Sequence, residues 1–308
     1  PITPQVDLDF VKKHINKNTV LLVGSAGNYP YGTIDPIKEL SELALKHDIG
    51  MHVDGCLGGF ILPYGEQLGY DIPVFDFRLP GVTSISADTQ KYAYGPKGTS
   101  VVCYRDKSFR KYQYTTNPEW VGGTYVSPGI GGSRSGGIIA ATWAVMVTLG
   151  KEGYKERARK IFETAYAMQE IVKKHPELRL MGSPSFCFSF TSDEFDIYHL
   201  NDYMKDQGWR FNGQQYPSAI HMCVTGPQTQ EGLVEEFEKD LAKAVVYAKN
   251  PARTIASSGA LYGGQGSKAL TDFNDMEMIR TLMIEFMDDC LEQPDEWSPS
   301  PKKKLTDA

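Results

Sequence analysis

The sequence predicts an α/β fold, with a mostly parallel sheet in a larger domain and a smaller α+β domain after it. Three observations carry this. Short, β-prone apolar runs stand at 20–23, 50–54 and 82–87. A helical pattern at 37–46 separates the first two, as a crossover between parallel strands requires. After residue 150 the order changes to a long amphipathic stretch followed by further strands and helices.

Taken in order, 20–23 (VLLV) is a short buried strand, and a Gly/Pro-rich turn follows it at 27–32. Asp35-Pro36 opens a helix over 37–46, with Asp35 as N-cap and Pro36 at the first helical position. The run 50–54 (GMHVD) is a strand that ends in a carboxylate. Further strands are expected at 82–87 (VTSISA) and 100–104 (SVVCY). The segment 138–149 (IIAATWAVMVTL) is apolar nearly all round and predicts a buried helix, too short to span a bilayer. An amphipathic stretch over 154–174 leads to a strand at 186–191, a helix at 197–207, a strand near 220–224 and a helix at 232–249. The expected division is part of a larger α/β domain over 1–150, its N-terminal portion missing, a smaller domain over 151–292, and a Pro- and Lys-rich disordered tail over 293–308.

The bulk properties exclude several classes. The chain has 308 residues, 41% of them hydrophobic, enough to bury a core. A net charge of −6 without a long basic run argues against nucleic acid as a partner. Five cysteines without CxxC spacing read as reduced thiols, and no metal site is expected. No apolar run approaches the roughly 18 residues of a membrane span, and no signal peptide opens the chain. The chain opens on Pro1 with no initiator Met, so it reads as a portion of something longer.

Chemistry concentrates where strands end, because in such sheets ligands bind beyond the carboxyl ends of the strands. Lys91 follows the 82–87 strand amid aromatic residues, and an amine in such a place can lose its proton and act as a nucleophile. Composition alone leaves a surface lysine equally open, and Lys97 could fill the same role. Asp54 ends its strand before Gly55, Gly58 and Gly59, which leaves room for a flat ligand with a basic ring nitrogen; it could equally cap the next helix. The run 129–137 (GIGGSRSGG) precedes a helix and could cradle an anion, or be a plain turn.

These residues carry a family resemblance. HVDGCLGGF at 52–60, DFR at 76–78, GVTSISADT at 81–89, Lys91-Tyr92 and PKG at 96–98 resemble the sphingosine-1-phosphate lyases. The likeness continues through Trp120, Gly122-Gly123, Tyr125, Ser127-Pro128, Gly132-Ser133-Arg134 and Gly136-Gly137. It resumes at Asp196-Ile197-Tyr198, Gly208-Trp209, Ile220-His221 and GALYG at 259–263. The resemblance implies the type I fold of pyridoxal-phosphate enzymes, with pyridoxal 5′-phosphate as cofactor. Lys91 becomes the Schiff-base lysine and Asp54 the partner of the pyridine nitrogen. His52 and Gln90 become cofactor contacts. Gly132 and Ser133 would lie near a cofactor phosphate across a homodimer interface, with the active site shared. Lys97 and Tyr29 are the further catalytic candidates. Tyr31, Lys97 and Arg134 are the candidates for the substrate, a lipid phosphate.

The activity implied is retro-aldol cleavage of a phosphorylated sphingoid base to phosphoethanolamine and a long-chain aldehyde. The alternatives are an amino-acid decarboxylase on the same lysine and aspartate, or a non-catalytic fragment. Two positions depart from the family pattern. Gln90 stands where a histidine is usual, so that position cannot titrate near neutral pH. Gly55 stands where alanine is usual. The family's main phosphate loop and ring-stacking aromatic residue lie upstream of the region that this chain matches. A separate N-terminal chain of the same enzyme is therefore a possible partner. The expected location is cytoplasmic or cytosol-facing, at the endoplasmic reticulum if an upstream segment anchors it.

Overall fold

The computed structural model describes residues 4–258 and scattered helical positions between 277 and 288. By packing, Pro1–Gly263 form one compact unit and Gly264–Ala308 a second. The described positions of the second unit are helical and exposed. The predicted tail over 293–308 and the resemblance at 259–263 lie outside the described residues.

The first layer begins with α1 (Leu8–His14), β1 (Leu21–Ser25), α2 (Ile37–His47) and β2 (Gly50–Asp54), followed by α3 (Leu62–Gln67), β3 (Ser84–Ala87) and β4 (Val101–Tyr104). The strands form one sheet in the order β1-β2-β3-β4. The first two pairings are parallel, with Ser25 opposite Asp54 and Asp54 opposite Ser86; β4 closes the edge antiparallel to β3. Two parallel pairings out of three make the sheet mostly parallel, as expected.

Period-two alternation sorts β2 into two faces. Met51 and Val53 are fully buried. They face α2, whose Ile37, Leu40 and Ala44 are also buried. A Cβ added at Gly24 would stand 2.6 Å from Ile37 Cδ1, so β1 needs glycine where the helix crosses it. His52 and Asp54 point to the opposite face, on which Leu21 and Val23 are exposed. The helix starts differently from expectation. Pro36 is the N-cap of α2 and makes no side-chain cap bond. The Asp35 carboxylate instead accepts from Val6 N at 3.0 Å and Ser25 N at 2.7 Å, so it ties β1 to the N-terminal segment.

After α4 (Lys107–Arg110) comes a hairpin of β5 (Thr115–Asn117) and β6 (Tyr125–Ser127), then α5 (Gly136–Lys173), which breaks at Gly150 with φ 56°. The expectation of a buried helix over 138–149 is corrected here. Ile139, Trp143, Met146 and Val147 are exposed, and only the second half of α5 packs into the core, through Ala158, Ile161, Phe162, Ala165 and Met168. Apolar sequence alone does not say that the chain's own core covers it.

The second layer holds β7 (Leu178–Leu180), β8 (Cys187–Ser192), α6 (Ile197–Asp206), β9 (Asn212–Gln214), β10 (Ala219–Cys223) and α7 (Leu233–Lys249). Its sheet is antiparallel in the order β7-β8-β10-β9. Phe186, Phe188, Phe190 and Phe237 are fully buried in it, each burial being worth about 1.5–3 kcal/mol before entropy is counted. The two layers meet where the 27–33 turn lies on β8 and where Tyr92 reaches the end of β10.

Candidate active site

The register of β2 on β3 builds the site. Asp54 is the last residue of β2, and its Oδ1 accepts from Cys56 N at 3.0 Å and Ser86 Oγ at 3.4 Å. Asp54 does not cap the next helical turn, whose N-cap is Leu57; it holds the local turn through Cys56 N and leaves a half-buried carboxylate on the open face. Among the described residues no Lys or Arg pairs with it. His52, two residues earlier on the same face, places Nδ1 2.8 Å from Ser84 Oγ and Nε2 3.2 Å from Ser86 Oγ. Burial lowers the pKa of this imidazole, with Asp54 opposing, so the ring is neutral at pH 7 and linked to Asp54 through Ser86.

Lys91 sits in the turn after β3. Its Nζ is 3.0 Å from Asp88 Oδ2, and its chain touches the Cys56 thiol. Burial favours loss of its proton, but the Asp88 carboxylate, with Cys56 adding, outweighs this and raises the pKa above the ordinary lysine value. Burial acts against ionisation of Asp88 too; hydrogen bonds with Ser100 and Lys91 prevail and hold its pKa low. Cys56 touches both Asp54 and Lys91, and burial first, then Asp54, raises its pKa. A neutral thiol thus bridges the carboxylate and the amine.

The other sequence candidates are placed as follows. Gln90 Oε1 accepts from Gly98 N at 2.8 Å and closes the turn that presents Lys97, which is exposed. Tyr29 is exposed, its ring centroid 4.5 Å from that of His221. Tyr31 is half-buried and donates its backbone N–H to Asn28 Oδ1 at 3.0 Å. Gly132, with φ 60°, Ser133 and Arg134 are exposed ahead of α5. The structure therefore brings His52 and Asp54 together on one face of β2, and Cys56 links Asp54 to Lys91 in the turn after β3. Among the described residues, no hydrogen bond joins Tyr31, Lys97 or the 132–134 loop to them, and Tyr29 packs its ring against His221.

Sequence reasoning passed over Cys56, Ser86 and Asp88 as site residues. Ser86 was findable, because strand alternation puts it on the face of Asp54 once the β2–β3 pairing is assumed. Gly55 also has a local reason: a Cβ there would stand 2.8 Å from Ser86 O, so the approach of the two strand ends demands glycine in this chain. Clefts of about 630 Å3, beside Ile15 and His47, and about 600 Å3, beside Tyr94 and Arg157, lie away from this group.

The donor set suits pyridoxal phosphate at two of its three ends. A lysine amine can bond an aldehyde carbon, and a carboxylate free of any Lys or Arg partner can hold a protonated pyridine nitrogen.

Comparison with known proteins agrees with this chemistry. Residues 9–190 match the pyridoxal-dependent decarboxylase conserved domain. A sphingosine-1-phosphate lyase of Oryza sativa is 46% identical over 284 residues, covering 92% of this chain and 51% of that protein. The solved structure of sphingosine-1-phosphate lyase from Burkholderia pseudomallei is 56% identical with a TM-score of 0.85, covering 96% of this chain and 61% of that one. Glutamate decarboxylase of Lactobacillus brevis, 21% identical with a TM-score of 0.68 over 82% of this chain and 60% of that one, shares the fold. The chain spans about half the length of the curated relatives it matches. With the matched domain running from α1 through the whole first sheet and α5 into β8, more than half of the chain, the chain belongs to the pyridoxal-dependent decarboxylase family, with its type I α/β fold and its pyridoxal phosphate cofactor.

Proposed function

We propose that this chain is part of a carbon–carbon lyase that cleaves phosphorylated sphingoid bases to phosphoethanolamine and a long-chain aldehyde. The observation that supports this most is the match to the Burkholderia pseudomallei lyase across nearly the whole chain, far above the identity to the glutamate decarboxylase fold.

Bound pyridoxal phosphate supplies an electron sink for negative charge on the carbon beside the substrate nitrogen. The chain's own residues have separate tasks. Lys91 must shed its proton, and with it the Asp88 ion pair, before its nitrogen can form a covalent bond. With substrate in place, its amine would be the group to carry a proton. Asp54 holds a proton on the ring nitrogen, and the Ser86–His52 pair keeps that carboxylate oriented. Gln90, Gly132 and Ser133 are cofactor contacts. Lys97 and Arg134, both exposed cations, recognise the substrate phosphate. Tyr29 is the candidate to move the proton of the 3-hydroxyl, with Tyr31 beside it against the substrate.

The exposed apolar surface over Trp120, Val121, Val126, Ile130 and Trp143 supports a homodimer, in which the 132–134 loop would serve the partner's site. A separate N-terminal chain of the same enzyme is the further partner we propose, set against the open face beside Leu21 and Val23. The division into a cofactor domain over 1–150 and a smaller domain over 151–292 belongs to the same reading. No described helix is long and apolar enough to cross a membrane, and we place the reaction facing the cytosol.

The test is a visible spectrum with added pyridoxal phosphate, borohydride reduction, peptide mapping, and product analysis with a phosphorylated sphingoid base. Label on Lys91 with aldehyde release supports the lyase. Label with carbon dioxide from an amino acid supports the decarboxylase that shares this fold. Absence of label, with Lys91→Ala indistinguishable from the parent, refutes catalysis by this chain alone.

A further inference from the structure

Outside the Asp54–Lys91 group, the reactive side chains that converge are Cys187, His221 and Cys223. Cys187 on β8 lies directly opposite Cys223 on β10. The next pair along the ladder, Phe186 and Val224, is hydrogen-bonded through Val224 N to Phe186 O at 3.3 Å. Alternation then makes Cys187 and Cys223 a non-hydrogen-bonded pair, whose Cα atoms stand about 4.5 Å apart. That lies within the range a disulfide spans. The sulfurs are already 3.5 Å apart.

The surroundings make the two sulfurs unequal. His221 Nδ1 is 3.5 Å from Cys187 Sγ, and its Nε2 is 3.4 Å from Cys223 Sγ. Cys187 and His221 are fully buried, whereas Cys223 is partly open. The hydrogen bond shared with Cys187 is the main cause that lowers the Cys223 pKa; burial opposes, and His221 and Tyr92 add to the lowering. The same bond, with burial, raises that of Cys187. One accessible thiolate thus faces one neutral thiol.

We propose that Cys223 and Cys187 form a peroxide-oxidised pair that closes to a cross-strand disulfide. The Cys223 thiolate attacks one oxygen of hydrogen peroxide; the S–O bond forms, the O–O bond breaks, and the departing hydroxide takes a proton to leave as water. The Cys187 sulfur then attacks the sulfenic sulfur. The S–S bond forms, the S–O bond breaks, and hydroxide leaves with the Cys187 thiol proton, which His221 Nδ1 is placed to relay. Two thiols lose two electrons in total, and one peroxide becomes two waters. The sulfurs close from 3.5 Å to about 2.05 Å. They do so between Tyr29, whose carbonyl oxygen lies 3.7 Å from Cys187 Sγ, and Tyr92, which neighbours Lys91.

The same three residues meet the spacing of a soft metal site, their ligand atoms all lying within 4.8 Å of one another. The imidazole orientation argues for the redox pair. Each ring nitrogen faces a different sulfur, so the ring lies between the two and does not aim one nitrogen at a shared centre.

The experiment treats the reduced 308-residue chain with substoichiometric hydrogen peroxide, blocks remaining thiols, and maps peptides without reduction. The expected product is a linked Cys187–Cys223 peptide, with Cys223 consumed at least about tenfold faster than exposed Cys103 in the same molecule. In Cys187→Ser, the sulfenic acid at Cys223 should persist and be trapped by dimedone. Equal rates at Cys223 and Cys103, or Cys187 remaining free once Cys223 has reacted, would overturn the proposal. So would stoichiometric zinc that shields both thiols. The rate comparison needs no variant, so a poorly folding Cys187→Ser leaves it decisive.

Discussion

Tyr92 donates its hydroxyl to the carbonyl of Val224 across 2.9 Å, and so binds the turn that carries Lys91 to the end of β10. Val224 is fully buried, and no water can replace the donor. Tyr92→Phe should therefore cost about 1–3 kcal/mol, the desolvation cost of an orphaned carbonyl, while the ring keeps its edge contact with Phe186. Urea denaturation reads this directly. A midpoint equal to that of the parent would mean that the carbonyl finds another partner and that the tie is dispensable.

The Asp88–Lys91 ion pair sets how readily the amine becomes a nucleophile. With the carboxylate removed in Asp88→Asn, burial, already the largest single influence on Lys91, loses its main opponent and the pKa falls. More uncharged amine is then present at neutral pH, and covalent attachment of added pyridoxal phosphate should run about tenfold faster for each unit of the fall. Stopped-flow absorbance across pH 7–9 measures it. An unchanged or slower rate would show that Asp88 does not restrain Lys91.

How far the sequence could reveal this follows from which contacts are local. Alternation in GMHVD exposes His52 and Asp54 on one face without any knowledge of the fold, and the helices at 197–206 and 233–249 carry a plain apolar period. The three-residue strands β7 and β9 are too short to show one. Cys56 and Asp88 enter the site through turn geometry. Cys187 and Cys223 read as scattered thiols because strand register, invisible in their spacing, sets them face to face. The apolar run at 138–149 misled, because hydrophobicity in sequence does not say whether the chain's own core covers it, and here Ile139, Trp143 and Val147 are exposed.

Arg78 supplies a pH-dependent brace beneath the site. Its guanidinium donates to Glu66 at 2.7 and 2.8 Å and to Asp76 at 2.9 and 3.1 Å, joining α3 to the segment that leads into β3. Hydrogen bonding to Arg78 lowers the Glu66 pKa; at Asp76 burial opposes, but Arg78 prevails. Both folded pKa values lie below the unfolded ones, so the unfolded chain binds more protons as pH falls. The brace is present above about pH 4 and is lost as pH drops through the folded values. Arg78→Ala should melt lower than the parent at pH 7, with the difference vanishing toward pH 3. A difference that is constant with pH would assign the loss to packing.

The two layers pack backbone against backbone at Gly32, whose φ is 67°. A Cβ there would stand 1.7 Å from Cys187 O and 2.5 Å from its carbonyl carbon, distances no side chain tolerates. Gly32→Ala must therefore separate the 27–33 turn from β8, which also pulls Tyr29 from His221. Gly69 provides the control: its φ is 89°, but a Cβ there meets nothing within 4 Å. Backbone strain alone, as at Gly69→Ala, should cost about 1–2 kcal/mol. Gly32→Ala adds the clash and should cost at least about 3 kcal/mol. Denaturation midpoints of the two variants compare them under one condition. Equal losses would mean that the turn moves off β8 freely, and that the contact between the layers does not depend on this glycine.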